Sequence, residues 1–383
     1  QPINNFPKEF SEADQKRLRE GILTAIRDQV LPTYTKFMNF VRNEYAPQGR
    51  TDIGIWALPN GAERYAYAVR VMTTTKMAPE EIHQLGLSEV ARIEAEQLTI
   101  AKKLGFNDLK SFRESLKSNP ELHPKSRQQI IDDYRKYTDQ MWQQLPKLFG
   151  RLPKAKLEIM PIEPFREKEA ATQYNQGTPD GSRPGHVFVN TYDFANQLTI
   201  NNESTAYHEG VPGHHMQISI AQELPELPPF RQQAGYTAYI EGWALYSERL
   251  GKELGFYQNP YNDYGRLDDE MLRAIRLVVD TGVHYKKWTR DQVVHFFREH
   301  SSVAEAMVQS ETDRYIAWPG QALAYKIGQL TILRLREKAQ QELGNKFDIR
   351  AFHDEILGAG ALPMDVLEQR INAWIERAKT GKN

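Results

Sequence analysis

The stretch "YHEGVPGHHMQ", residues 207–217, holds three of the chain's ten histidines, with a proline and two glycines separating His208-Glu209 from His214-His215. Zinc hydrolases place His-Glu-x-x-His on one helix. A spacing of four puts both imidazoles on one face, and the glutamate beside the first can act as a general base. Here the position four after His208 is Pro212. On an unbroken helix His214 would be rotated about 120° from His208, and His215 would share its face but lie roughly 10 Å along the axis. Neither suits a metal with bonds of about 2 Å. The Gly-Val-Pro-Gly insert resolves this, because glycine reaches unusual dihedrals and proline removes a helical hydrogen bond that would resist a bulge. A two-residue bulge after Glu209 advances the ligand position from 212 to 214. His214 is therefore expected as the second ligand, with His215, which needs a three-residue excursion, as the alternative.

Catalytic zinc usually takes three protein ligands and keeps one position for water. The third is sought in "TAYIEGWALYSERL", residues 237–250, where Glu241 and Glu248 stand two turns apart among aromatic and aliphatic residues. A buried carboxylate needs a cation or hydrogen bonds to offset its desolvation. Glu241, 27 residues after His214, fits a helix-loop-helix ligand set; a pair of salt-bridged glutamates is the plainer alternative. With Zn2+ held by His208, His214 and Glu241, Glu209 would take a proton from the water that the metal acidifies. Donors to a developing oxyanion are expected among Arg314, Tyr315 and Tyr325 in "DRYIAWPGQALAYKIG" (313–328) and His284 in "DTGVHYKKW" (280–288). Asp280 could orient a ligand histidine from behind, with a helix cap or salt bridge as the equal alternative. His295 and His300 lie outside these motifs and read as structural.

Outward from this centre the pattern is helical. Ile22, Ile26, Val30, Tyr34, Phe37 and Val41 recur every three or four residues in 12–45, with a kink expected at Pro32. Pro79, Glu80 and Glu81 suit the start of a second helix, and Lys125 to Phe149 fits a third. Between them and the histidines, "KLEIMPI" (156–162), "ATQYNQG" (171–177) and "HVFVNTYD" (186–193) alternate with turn residues and read as a small antiparallel sheet. The edge of "HVFVNTYD", with Asn190, could pair with an extended peptide. Helices resume over roughly 200–222, 233–255, 262–285, 289–299, 301–308, 319–343, 348–357 and 363–379. The fold class is mainly α, a helical body with one small sheet before the His-Glu helix. An N-terminal helical region (1–150) is expected to be continuous with a site-bearing region (151–383).

The charge balance of 49 basic against 50 acidic residues gives no support to a polyanion partner. The absence of cysteine excludes disulfides, thiolate metal ligands and thiol catalysis. No apolar run approaches the roughly 20 residues that cross a bilayer.

The motifs "HEGVPGHHMQ", "EGWALYSE", "DTGVH..KWT" and "DRYIAWPGQALAYKIG", in that order, resemble the bacterial domain of unknown function 885, from about Trp56 to the C-terminus. Many members of that family are exported or lipoproteins. The resemblance implies that Gln1 starts inside a longer chain, that an anchor lies upstream, and that the protein belongs to a bacterial periplasm or cell envelope. That family is in turn similar to helical zinc peptidases of the neurolysin-like, angiotensin-converting-enzyme-like and Taq-type carboxypeptidase kinds. Those carry an uninterrupted His-Glu-x-x-His, from which this chain departs by two inserted residues; dipeptidyl peptidase III carries one insertion at that place. The expected function is a zinc-dependent peptidase acting on short peptides. A metal-dependent hydrolase of another amide or ester, and a peptide-binding protein without catalysis, are the alternatives.

Overall fold

A computed structural model describes residues 3–224, 227–232 and 234–381; Gln1, and Gln233 where a helix start is expected, lie outside them. The chain divides into two units, 1–52 and 53–383. The first is a helical rod, α1 (Glu12–Ala25) and α2 (Leu31–Phe40), joined by a π-helical segment at Ile26–Val30. The expected kink at Pro32 takes the form of this widened turn, placed just before the proline whose missing N–H cannot extend an α-helical ladder. Its apolar periodicity buries nothing: Ile22, Ile26, Val30, Tyr34 and Phe37 are all exposed.

The second unit begins with α3 (Gly61–Thr73) and α4 (Pro79–Lys103), where the Glu81 side chain accepts from the Ala78 amide. Then come α5 (Leu109–Ser118) and α6 (Arg127–Gln144). Three strands follow: β1 (Leu157–Pro161), β2 (Gln173–Asn175) and β3 (Gly185–Val189). The rest is α7 (Asn202–Glu209), α8 (His214–Gln222), α9 (Pro229–Gln232), α10 (Thr237–Glu253), α11 (Pro260–His284), α12 (Arg290–His300), α13 (Glu305–Ala317), α14 (Ala324–Leu343), α15 (Ile349–Leu357) and α16 (Met364–Thr380). Residues 301–304 form no helix; α13 starts after them and runs to Ala317.

The sheet order is β1-β3-β2, with β1 parallel and β2 antiparallel to β3. Two expectations change here. The sheet is mixed rather than antiparallel, because residues 162–184 let the chain cross back and enter β3 alongside β1. The "HVFVNTYD" segment is also not an edge: β3 is paired on both sides, and the Asn190 side chain donates to the carbonyls of Glu167 and Ala170. The edges are β1 and β2.

The core forms where α4 packs on α11 and α10 on α14. Close approach of the latter pair depends on two glycines, since a Cβ at Gly242 would meet Gly328 at 2.5 Å and one at Gly328 would meet the Ala238 carbonyl at 1.9 Å. Trp243, Leu245, Tyr246 and Leu250 of α10 are all buried, each worth roughly 1.5–3 kcal/mol in apolar transfer. This embedding sets the position of α10, and with it Glu241, beside the histidines.

Candidate metal centre

The helix carrying His208 and Glu209 stops at Gly210, and α8 opens at His214. Between them the chain turns on itself through a cis Val211–Pro212 peptide. The Gly213 amide donates to the Tyr207 carbonyl at 3.0 Å, and the His215 amide to the Gly210 carbonyl at 3.1 Å. Only glycine fits at 213, because a Cβ there would stand 1.9 Å from the His208 carbonyl oxygen. Val211 is buried, and the Trp243 indole donates to the Pro212 carbonyl at 2.8 Å, tying the turn to α10.

This turn sets the His208 and His214 rings edge to face, centroids 4.8 Å apart. Their Nε2 atoms lie 3.6 and 3.4 Å from the same Glu241 oxygen, Oε2. These separations exceed a hydrogen bond of about 2.7–3.2 Å, yet match the roughly 3.4 Å between ligand atoms around a tetrahedral ion with 2.0–2.1 Å bonds. The residues present therefore fit zinc. A Glu209 oxygen also lies within 4.8 Å of the two ring nitrogens, but Glu209 Oε2 accepts from the Tyr174 amide of β2 at 2.8 Å. Glu241, nearer to both rings, is the better third ligand, and Glu209 is left beside the centre.

Charge favours a cation at the same point. Burial alone would lower the His208 pKa, but Glu241, Glu248 and Glu209 outweigh it and hold the ring at about 10. Burial would raise Glu241, but His214 and His208 keep it well below the ordinary carboxylate range. Without a metal the cluster keeps a proton; a divalent ion is the other way to satisfy it. His208 Nδ1 contacts Glu248 Oε1 at 2.7 Å, the carboxylate–histidine contact that fixes the ring and makes it more basic.

Sequence reasoning assigned that supporting role to Asp280, and the structure corrects it. Asp280 is buried elsewhere, accepting from the Tyr65 hydroxyl at 2.6 Å and the Gly320 amide at 3.0 Å, so it staples α11 to α3. His284 and Tyr315 are likewise removed from the oxyanion set. Ile55 donates to His284 Nδ1 at 3.0 Å, and Nε2 faces the Tyr315 carbonyl at 2.8 Å. The Tyr315 hydroxyl, fully buried, donates to Glu311 and accepts from Arg276 at 3.0 Å. Tyr325 and Arg314 remain partly exposed, joined at 3.3 Å. His215 points away from the cluster: Nδ1 meets the Tyr174 hydroxyl at 3.1 Å and Nε2 the Ala155 carbonyl at 3.2 Å. Burial holds it neutral, at about 4. What sequence reasoning missed is the service of Glu248 to His208, the Tyr174 amide on Glu209, and Arg276. Only the first left a signal, the seven-residue spacing from Glu241.

Residues 1–371 match the bacterial protein family of unknown function DUF885. The chain is similar to a crystal structure from Colwellia psychrerythraea, provisionally described as a lipoprotein, with 36% identity and a TM-score of 0.93. That match covers 98% of this chain and 65% of the other, so the chain spans less than two thirds of that neighbour's length. A structure from Shewanella oneidensis, also provisionally described as a lipoprotein and of unknown function, shares the fold at 19% identity and a TM-score of 0.71, over 96% of this chain and 68% of its own. No curated protein matches. Among the described residues no helix is long and apolar enough to cross a membrane.

Proposed function

From a chain that belongs to the DUF885 family, we propose a zinc-dependent peptidase that hydrolyses short peptides, working in a bacterial periplasm or cell envelope. One observation carries the reading: His208 Nε2 and His214 Nε2 lie 3.6 and 3.4 Å from the same Glu241 oxygen, with the Glu209 carboxylate beside the two rings. Zinc, when bound, acidifies a water and polarises a carbonyl. Glu209 would take a proton from such a water and return it to the leaving amine. The Tyr174 amide aims the carboxylate. Glu248 holds the His208 ring in one orientation. β2, an edge strand whose amide already touches Glu209, suits an extended peptide backbone, which favours a peptide over a compact ester. The lipoprotein description of the Colwellia neighbour agrees with a place in the cell envelope.

The test is a mixed peptide library incubated with zinc-loaded protein and followed by mass spectrometry, with and without chelator. Cleavage that stops on chelation, and that Glu209→Gln abolishes while keeping about one zinc per chain, is the expected result. Undiminished cleavage by Glu209→Gln removes it as the base. Zinc retained in both His208→Ala and Glu241→Ala removes the ligand set.

A further inference from the structure

A cavity of about 730 Å³ lies against α7 at Asn202 and Thr205, and α11 lines it with Asp268, Asp269 and Leu272. Its unfilled polar atoms are of one kind. Asp268 Oδ2 accepts from the Ser302 hydroxyl at 2.7 Å, but Oδ1, buried, has no hydrogen-bond partner. His123, also in the lining, sets Nε2 3.1 Å from the Lys117 carbonyl, so in the neutral ring that nitrogen carries the proton and Nδ1 is an acceptor. It too is buried and unpartnered. The side-chain NH2 groups of Gln197, Asn201 and Asn202 donate to the Tyr192 carbonyl, the Gly265 carbonyl and Asp133 at 2.7, 2.9 and 3.3 Å, which leaves each amide its oxygen.

The charges lean the same way. Asp269 accepts from the Ser204 hydroxyl and lies 3.5 Å from Arg273, yet burial still lifts its carboxyl to about 6. Lys117 is the one lysine or arginine in the lining, and it is exposed. A buried carboxylate oxygen without a donor carries the cost of its lost hydration. A ligand that relieves this wall brings N–H donors and positive charge, and accepts nothing in return. Ile130, Leu272 and Met307 add apolar surface to the same cavity. An ammonium on an aliphatic stem meets both demands: it offers three donors and no acceptor, on a chain that packs against apolar side chains.

We propose that this cavity binds a primary alkylammonium group, as carried by a lysine residue or by a free aliphatic diamine. Such a site needs neither zinc nor cleavage, so it stands or falls apart from the peptidase reading. The experiment is a calorimetric titration of the full chain with three probes: N-acetyl-lysine amide, diaminobutane, and N-acetyl-norleucine amide, which keeps the stem and lacks the ammonium. One or both amines should bind with a Kd of about 1 mM or tighter, and the norleucine compound about tenfold more weakly or worse. Binding of the lysine compound alone identifies a peptide-borne group, binding of diaminobutane alone a free amine, and binding of both the ammonium itself. Asp268→Asn keeps the shape and removes the charge, and should weaken the bound amine about tenfold. Asp269→Asn is the second variant, and thermal unfolding checks that each is folded. Failure of both amines to bind at about 10 mM, norleucine binding as tight as lysine, or undiminished amine binding in both folded variants overturns the site. The comparison of lysine with norleucine on the parent protein decides the matter even where a variant does not fold.

Discussion

The α7–α8 turn and the α13–α14 segment are both dense in polar residues, and they use them in opposite ways. At the turn, two imidazoles and one carboxylate converge on a shared point, and Glu248 and the Tyr174 amide fix their neighbours from outside. Around α13, Tyr315 and Glu311 spend their hydrogen bonds on Arg276, and the Tyr315 carbonyl on His284. Residue type does not separate the two regions. Enforced convergence does: Gly213 permits only the folded-back path at the first, whereas the second is bound together by its own arginines and leaves Arg314 and Tyr325 partly exposed.

The most severe way to break that contrast is Gly213→Ala. With a Cβ 1.9 Å from the His208 carbonyl, the backbone must move. We expect a loss of about 3 kcal/mol or more in denaturant unfolding, together with loss of bound zinc by elemental analysis. Normal stability and metal content would mean that the turn is softer than its geometry. Next is the pair His214→Ala and His215→Ala. The first should weaken zinc by orders of magnitude, while the second keeps the metal and disturbs the contacts to Tyr174 and Ala155; a competition titration showing the reverse would move the ligand by one residue. Glu248→Gln keeps the shape but weakens the charge behind His208, and should cost 10–100-fold in zinc affinity. Unchanged affinity would reduce the 2.7 Å contact to packing.

The smallest effect tests the structural role given to Asp280. Burial, opposed by its bonds to Tyr65 and the Gly320 amide, raises its carboxyl to about 7 from a value near 3.8. The folded state then holds a proton that the unfolded chain releases. That contribution is fully present below pH 3.8 and is lost as pH rises through 7. Asp280→Asn stays neutral throughout, so relative to the variant the parent should lose stability, on the order of 1–3 kcal/mol, between pH 4 and 7. Parallel pH profiles of the two would show that Asp280 carries its charge in the fold.

How much of this was legible follows from the range of the forces involved. The interruption between Glu209 and His214 is a local steric fact, written in Gly210, Pro212 and Gly213, and the helical character of the chain is written in its apolar spacing. The choice of Glu241 drew on helix register plus the cost of burying a carboxylate, which is still nearly local. The partner of the His208 ring was not legible, because Glu248 and Asp280 offer the same chemistry, and only the packing of α10 and α11 decides which one arrives. The strand order failed for the same reason: pairing of β1 with β3 is decided by a crossover, and alternation within each segment carries no record of its neighbour.

A last consequence concerns α10. It carries Glu241, and two residues later Trp243, whose indole grips the Pro212 carbonyl in the turn between the two histidines. The arm that supplies one corner of the triangle is thus clamped to the bracket that supplies the other two. Should the bundle breathe, tilt of α10 drags the bracket along, so the displacements are shared and the triangle's sides are largely spared. Precision at this centre is a property of one jointed part, and it can persist in a scaffold that is not itself rigid.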